Sequence, residues 1–271
     1  MTLSAFKKII WNHYRKHKRD FPWRRTRDPY RVLVSEIMLQ QTQAPRVVEK
    51  YQSFIKRFPD FDSLARSSVS SVLREWQGLG YNRRGLALKK AAETVMKDHS
   101  GTLPRSYEAL LGLPGIGPAT AGDILAFAWN KPKAIIETNI RTVFIHCFFN
   151  DRQGIHDRDI MPLIEKTLDR ANPREWYYAL MDYGAMLKRT VPNPSRRSRH
   201  YARQSAFKGS NRELRSKLLK YLLAYGRQRT EIILEAVDAP KEIILKNLQA
   251  MASEGLIAEK KTRAAVFYFV P

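Results

Sequence analysis

The sequence predicts an all-α protein that ends in a small winged-helix module, and three observations predict it. Apolar residues recur at helical spacing through successive segments between residues 3 and 187, strand-like alternation is nearly absent before residue 256, and a set of prolines and glycines falls between the periodic runs. Residues 3–17 form the first amphipathic run. Pro22 and Pro29 separate it from 30–42, which leads into 45–57, and Pro59 precedes 69–76. Gly78 and Gly80 interrupt the chain before 84–98, Gly101 and Pro104 before 105–111, and Pro114 to Gly117 before 118–129. After Pro132 come 139–149, 158–170 and 174–187. From Lys188 to Arg203 two prolines, no acid and a run of basic residues read as an extended, charged connection. Three short helical patterns follow at 213–226, 229–237 and 240–254, and Leu256 to Val270 alternates as two strands around Lys260 to Arg263; this is the winged-helix module of residues 210–271.

Composition narrows function before any motif does. The 271 residues carry 48 Lys+Arg against 26 Asp+Glu, a formal charge of +22, and 44% are hydrophobic, so the chain has a core and a strong positive field. That field favours a polyanion over a neutral metabolite. No apolar run approaches the roughly 18 residues that span a bilayer, and the first residues lack a secretory pattern, so the expectation is a soluble, cytoplasmic protein, nucleoid-associated if the source is prokaryotic, with no membrane partner. The single cysteine, Cys147, closes no internal disulfide and supplies no cysteine-only metal or iron–sulfur site.

The most specific local pattern is Leu113-Pro-Gly-Ile-Gly-Pro-Ala-Thr-Ala121 between two helical runs. Gly115 and Gly117 let the backbone turn and approach a partner closely, and Thr120 stands near a helix N-terminus whose free N–H groups favour an anion. Such a helix-hairpin-helix grips a DNA phosphate without reading sequence; the plain alternative is an αα-hairpin with glycine caps.

Four further motifs accompany it in order: Phe21-Pro-Trp-Arg24, Val34-Ser-Glu-Ile-Met-Leu-Gln-Gln-Thr-Gln43, Trp76-Gln-Gly-Leu-Gly-Tyr81 and Met181-Asp-Tyr-Gly-Ala-Met186. Together the five resemble the helix-hairpin-helix glycosylases of base excision repair, most closely the MutY-type adenine DNA glycosylases, over roughly residues 10 to 187. The resemblance implies a two-lobed helix-hairpin-helix glycosylase core over 1–187. One lobe, 30–137, is inserted between 1–29 and 138–187 with a cleft between the two sides, and a basic connection, 188–209, leads to the winged helix.

The resemblance also implies roles. Glu36 is the general acid that protonates the leaving adenine, on an apolar stretch whose burial would raise its pKa; the alternative is a buried glutamate paired with an arginine. Glu137 stands where the family carries an aspartate that stabilises the sugar cation, and Asn139 supports it. The longer glutamate is read as a working substitute, against the rival of a retired site. Trp23 and Arg24 are expected to pack on and hydrogen-bond the extruded base, Asp182 to accept from its exocyclic amine, and Leu39, Gln41 and Tyr81 to lie at the base and in the stack. Ala119 occupies the position at which bifunctional relatives place a Schiff-base lysine, so hydrolysis without strand cleavage is expected.

Two family features are missing. The segment after Met186 has none of the four cysteines of the usual [4Fe–4S] cluster, so no cofactor is expected, and phosphate contact is assigned to Arg196, Arg197 and Arg199; the alternative is a solvated tether. The residues after Gly209 are too few for the Nudix-like domain of well-studied relatives and look like the tail of a shorter MutY branch. The reading is therefore a monomeric, monofunctional glycosylase acting on double-stranded DNA that contains adenine opposite 8-oxoguanine or guanine. Two alternatives stay open: a glycosylase of the same fold for hypoxanthine, uracil or thymine, and a non-catalytic lesion-binding protein.

Overall fold

The structure is a computed structural model that describes residues 1–204 and 206–271. Fourteen α-helices are described: α1 (Leu3–His17), α2 (Pro29–Leu39), α3 (Ala44–Arg57), α4 (Phe61–Arg66), α5 (Val69–Trp76), α6 (Arg83–Asp98), α7 (Tyr107–Leu111), α8 (Pro118–Trp129), α9 (Thr138–Phe148), α10 (Asp157–Thr167), α11 (Pro173–Thr190), α12 (Asn211–Tyr225), α13 (Thr230–Ala236) and α14 (Lys241–Ser253). Strand β1 (Gln228–Arg229) precedes α13, and β2 (Ala258–Lys261) and β3 (Val266–Phe269) close the chain. The all-α class expected from periodicity is observed.

Three local differences from expectation have physical causes. Helix α4 is additional: six residues are too few to register as a period, yet Asp60 and Ser63 form a reciprocal capping box that starts it. The turn Pro22–Arg25 is a 3₁₀ helix opened by its proline. In the C-terminal module a short β1 joins the expected strand pair, giving an antiparallel sheet of order β1-β3-β2 with Gln228 opposite Tyr268 and Lys260 opposite Phe267.

The chain divides into two compact units, and packing draws the division differently from the expected lobe at 30–137. The first comprises Met1–Glu36, Pro104–Gly112 and Ile116–Arg203. Its core is α9 against α11 with α1 on α11, and Phe6 lies 5.1 Å from Phe144 and 6.1 Å from Trp176, ring to ring. Helix α8 belongs here because Thr120 to Ala128 are all buried, and it packs on α11.

The second unit comprises Ile37–Leu103, Leu113–Gly115 and Gln204–Pro271. Leu73 of α5 and Leu86 of α6 share one buried cluster with Leu218, Leu222, Ile233, Ile244, Leu248 and Met251 of α12 to α14. Each such side chain contributes roughly 1.5–3 kcal/mol on burial, so α12 to α14 are welded to α5 and α6 rather than tethered to them. The Ser70 N–H donates to the Pro271 carbonyl at 2.6 Å, and Glu254 pairs with Arg215 and Arg83.

The extended, charged connection expected from Lys188 to Arg203 is folded in its first part, up to Ser198. Helix α11 runs to Thr190, a 3₁₀ turn forms at Pro194–Arg197, and Ile155 and Ser198 make a parallel bridge. The buried Ser195 hydroxyl lies 2.5 Å from that of Thr142 on α9, which pins the turn to the first unit. Ser205, within the basic connection expected at 188–209, lies outside the described residues.

Candidate active site

In the first unit the structure gathers Glu36, Glu137 and Asn139 with residues that sequence reasoning did not single out. Glu137 is the N-cap of α9: its Oε1 accepts from the Asn139 and Ile140 N–H groups at 2.7 and 2.8 Å, and its Oε2 from the Asn139 side-chain amide at 3.2 Å. Three N–H donors and the helix dipole converge on one carboxylate, an arrangement that holds negative charge in a fixed direction. A second layer supports it, because Lys188 Nζ donates to Asn139 Oδ1 at 2.8 Å. Lys188 thus belongs to α11 and the site, and not to the basic connection; burial lowers its pKa.

Gly184 makes this arrangement possible. A Cβ there would lie 2.4 Å from the Asn139 carbonyl oxygen, so only glycine lets α11 approach the first turn of α9 this closely.

Glu36 stands on α2 among the buried Val32, Leu33, Ile37 and Met38, and keeps part of its own surface open. Burial, followed by the nearby Glu137 charge, pushes its carboxyl up to about 8, while Arg24 and Arg174 pull it down. Among the described residues it forms no salt bridge, which removes the alternative of a glutamate paired with an arginine. Asp123 on α8 is a third carboxyl of this group. It is 6% exposed, its Oδ1 has no hydrogen-bond partner among the described residues, and burial with the Glu36 and Glu137 charges raises its pKa well above the carboxylate range. One acid inside the apolar run Ala121–Ala128 was its sequence signal.

Asp182 corrects an expectation. It is 2% exposed, and both oxygens are taken: Oδ1 accepts from Arg19 Nε at 2.5 Å and Arg24 Nη2 at 2.7 Å, and Oδ2 from the Arg19 N–H at 3.0 Å and Arg24 Nη1 at 2.9 Å. Burial pushes its carboxyl up, but these bonds outweigh it and hold the pKa below the usual value. No acceptor site remains for a base amine, so Asp182 anchors Arg24. Both terminal nitrogens of Arg24 are used in turn, and its guanidinium lies 4.3 Å from the Tyr178 ring. Trp23 is buried and stacked on Phe21 at 4.9 Å. Arg174, which sequence reasoning missed, ties the Pro22–Arg25 turn to α11 by donating to the carbonyls of Arg24 and Thr26 at 2.9 and 2.7 Å.

The expected phosphate contacts sort by exposure. Gly117 is the N-cap of α8, no side chain caps that helix, and Ala119 lies half-buried in its first turn. Thr120, expected near the phosphate, is instead buried at 7%. Arg196 and Arg199 are exposed, whereas Arg197 turns inward and donates to the Ile145 carbonyl at 3.1 Å, which corrects its assignment as a phosphate ligand.

Leu39, Gln41, Tyr81 and Gly115 fall in the second unit. Gln41 (φ 54°) and Tyr81 (φ 47°) both occupy the left-handed region, which is costly for non-glycine residues and concentrates at functional sites. One side chain holds both turns: Arg84 donates to the carbonyls of Met38 and Gln40 at one end and to those of Leu79 and Gly80, at 3.2 and 3.1 Å, at the other. Gly115 (φ 79°) has Ala87 where a Cβ would sit, at 2.8 Å, and its carbonyl accepts from the Gln40 amide.

A model of the HhH-GPD superfamily of base excision DNA repair proteins matches residues 34–170, half of the chain. The chain belongs to this superfamily. It is 38% identical over 192 residues to an adenine DNA glycosylase of Buchnera aphidicola subsp. Baizongia pistaciae, covering 69% of this chain and 54% of that protein. It is 33% identical over 206 residues to the Homo sapiens adenine DNA glycosylase, covering 72% and 37% respectively. Against a thymine/uracil-DNA glycosylase of Methanothermobacter thermautotrophicus it is 30% identical over 187 residues, 68% of this chain and 85% of that one. The chain therefore spans about half of the first of these adenine glycosylases and about a third of the second. Among solved structures, a thermostable thymine-DNA glycosylase superposes with TM-score 0.63 at 27% identity, covering 71% of this chain and 90% of that one.

Proposed function

We propose that this HhH-GPD protein is a monofunctional DNA glycosylase that hydrolyses the N-glycosidic bond of a flipped adenine mispaired with 8-oxoguanine or guanine. The observation that carries the reading is the carboxyl pair: Glu137 is fixed at the N-terminus of α9 by three N–H donors, and its charge, after burial, is what pushes the Glu36 carboxyl up to about 8. Glu36 gives its proton to the leaving base, so the glycosidic electrons depart with a neutral leaving group. Glu137 faces the positive charge that develops on the sugar, and its hydrogen-bonded cap, which fixes the carboxylate, supports the reading of the longer glutamate as a working substitute. Water then adds to the sugar cation and gives its proton to the Glu36 carboxylate, which leaves an abasic site and restores the acid. Ala119 offers no amine for a Schiff base, which supports hydrolysis without strand cleavage.

A cysteine-ligated iron–sulfur cluster does not fit the donor set. The chain has one cysteine, Cys147, buried on α9, and the segment after α11 has none. We infer that the protein works without that cluster and that the Thr142–Ser195 pair takes over the ordering of the turn.

The test is single-turnover base release from duplexes containing adenine opposite 8-oxoguanine, adenine opposite guanine, hypoxanthine, uracil, and thymine opposite guanine, with alkali to reveal abasic sites. Adenine release is expected, with Glu36→Gln slower by on the order of a thousandfold while duplex binding is kept. Glu137→Gln should fall similarly, and full activity in that variant would sink its assignment. The 85% coverage of the thymine/uracil glycosylase favours one second reading, which release of thymine or uracil but not adenine would establish. Duplex binding with no base released from any substrate would instead favour a lesion-binding protein.

A further inference from the structure

The C-terminal module reaches Tyr81. The Tyr81 hydroxyl accepts from Arg212 Nη1 at 3.1 Å and from the Gln204 side-chain amide, and two guanidinium groups lie near its ring, Arg84 at 5.5 Å and Arg212 at 5.6 Å from the centroid. Arg84 comes from the helix that follows Tyr81; Arg212 comes from the first turn of α12, 131 residues further along the chain. The start of α12 aims it. Gly209 (φ 74°) turns the chain, the Ser210 hydroxyl caps the Glu213 N–H, and Glu213 accepts from the Gly209 N–H at 2.6 Å. That capping fixes Arg212 in the first helical turn, where a cation opposes the helix dipole, so its presence there is not explained by helix stability.

We propose that Arg212 is a positioning residue for Tyr81, which makes the C-terminal module part of the device that probes the base stack. The inference rests on the reading of Tyr81 as the side chain that enters the stack when the nucleotide is flipped. Tyr81 already has a strained backbone, and an aromatic wedge on a strained turn is useful only if its ring direction is fixed. Arg84 fixes the turn through backbone carbonyls, and Arg212 fixes the outer end of the ring through the hydroxyl. The module's docking does not depend on this contact, since the buried cluster with Leu73 and Leu86, the Ser70–Pro271 bond and the Glu254 pairs hold it independently.

The experiment uses the full-length chain with Arg212→Met, Arg212→Lys, Tyr81→Phe and the Met/Phe double substitution. Wedge insertion is read from the fluorescence rise of 2-aminopurine placed beside the mispair. Opposite-base selectivity is read from the ratio of single-turnover adenine release opposite 8-oxoguanine and opposite cytosine. Arg212→Met and Tyr81→Phe should each reduce the fluorescence rise and the ratio by about tenfold or less, the double variant should lose no more than either single one, and Arg212→Lys should recover part of the loss. Unfolding midpoints should stay close to the parent's. The proposal is overturned if Arg212→Met leaves both readouts unchanged, if the two losses multiply, or if the parent gives no fluorescence rise. If the parent releases no adenine, the proposed function fails while the fluorescence arm still decides this one.

Discussion

Burial and neighbouring carboxylates raise the pKa of both Glu36 and Asp123, and both effects can be measured. If Glu36 is the proton donor, base release is level below its value of about 8 and falls about tenfold per unit above it, with Glu36→Gln flat at its residual rate. A rate that rises through that range would show that a different group supplies the proton. Asp123 enters through stability. Its folded pKa lies above its unfolded one, so the folded state holds a proton that the unfolded chain has released. The associated stability is complete below the ordinary carboxylate range and is lost as pH rises through the folded value. Asp123→Asn keeps the shape without the ionisation, so its denaturant midpoint should decline less than the parent's toward alkaline pH. Parallel curves would mean the carboxyl is not held protonated. Glu36, Glu137 and Asn139 were legible because spaced motifs name them. Arg174 and Asp123 were not, because a lone charge in a helical run reads as surface until the helix is known to be buried. Asp182 was read for its type, and its partners Arg19 and Arg24, which consume both oxygens, depend on a fold that brings α11 to residues 19–24.

At the scale of elements, apolar period and punctuation placed most helices within a few residues, and the exceptions share a cause. Helix α4 is shorter than two turns, α2 stops at Leu39 because Gln41 turns left-handed, and the Pro194–Arg197 turn is held by tertiary hydroxyl contacts that local pattern does not encode. The Met181–Met186 motif shows what a motif conceals. Its glycine looked like one more letter, yet Gly184 sets the distance between α9 and α11 and so the place of Glu137. Gly184→Ala puts a methyl 2.4 Å from a backbone oxygen, which cannot rotate away, so the helices must part. A shift of about 1 Å at Glu137 costs on the order of a hundredfold in base release, and overpacking costs about 1–3 kcal/mol of stability. Duplex affinity should change little. Kinetics equal to the parent's would show that the helix spacing does not position the carboxylate.

For the whole molecule, the formal charge of +22 favours a polyanionic partner, and the structure separates the exposed cations from those built into the fold. Arg24, Arg84, Arg174 and Arg197 are bound to carbonyls or to Asp182 and build the fold. Arg196 and Arg199 lie exposed at a turn whose backbone is fixed by Ser195 and by the bridge at Ser198, with Arg199 Nη1 lying 3.3 Å from His156 Nε2 in an exposed contact. A fixed turn loses less conformational entropy on binding than a tether does, so if this turn meets DNA the two cations neutralise phosphates at little ordering cost. Each phosphate neutralised contributes about 0.9 to the slope of log affinity against log salt. Serine at both positions should therefore lower that slope by roughly 2, weaken binding to matched and mispaired duplex alike, and leave base release at saturating protein unchanged. Arg197→Met supplies the contrast: its inward guanidinium touches Ile145, so its loss should appear in the unfolding midpoint and not in the salt slope. An unchanged slope in the double serine variant would remove the turn from the DNA-binding surface, and a lowered slope in Arg197→Met would show that the inward conformation is not the one that meets DNA.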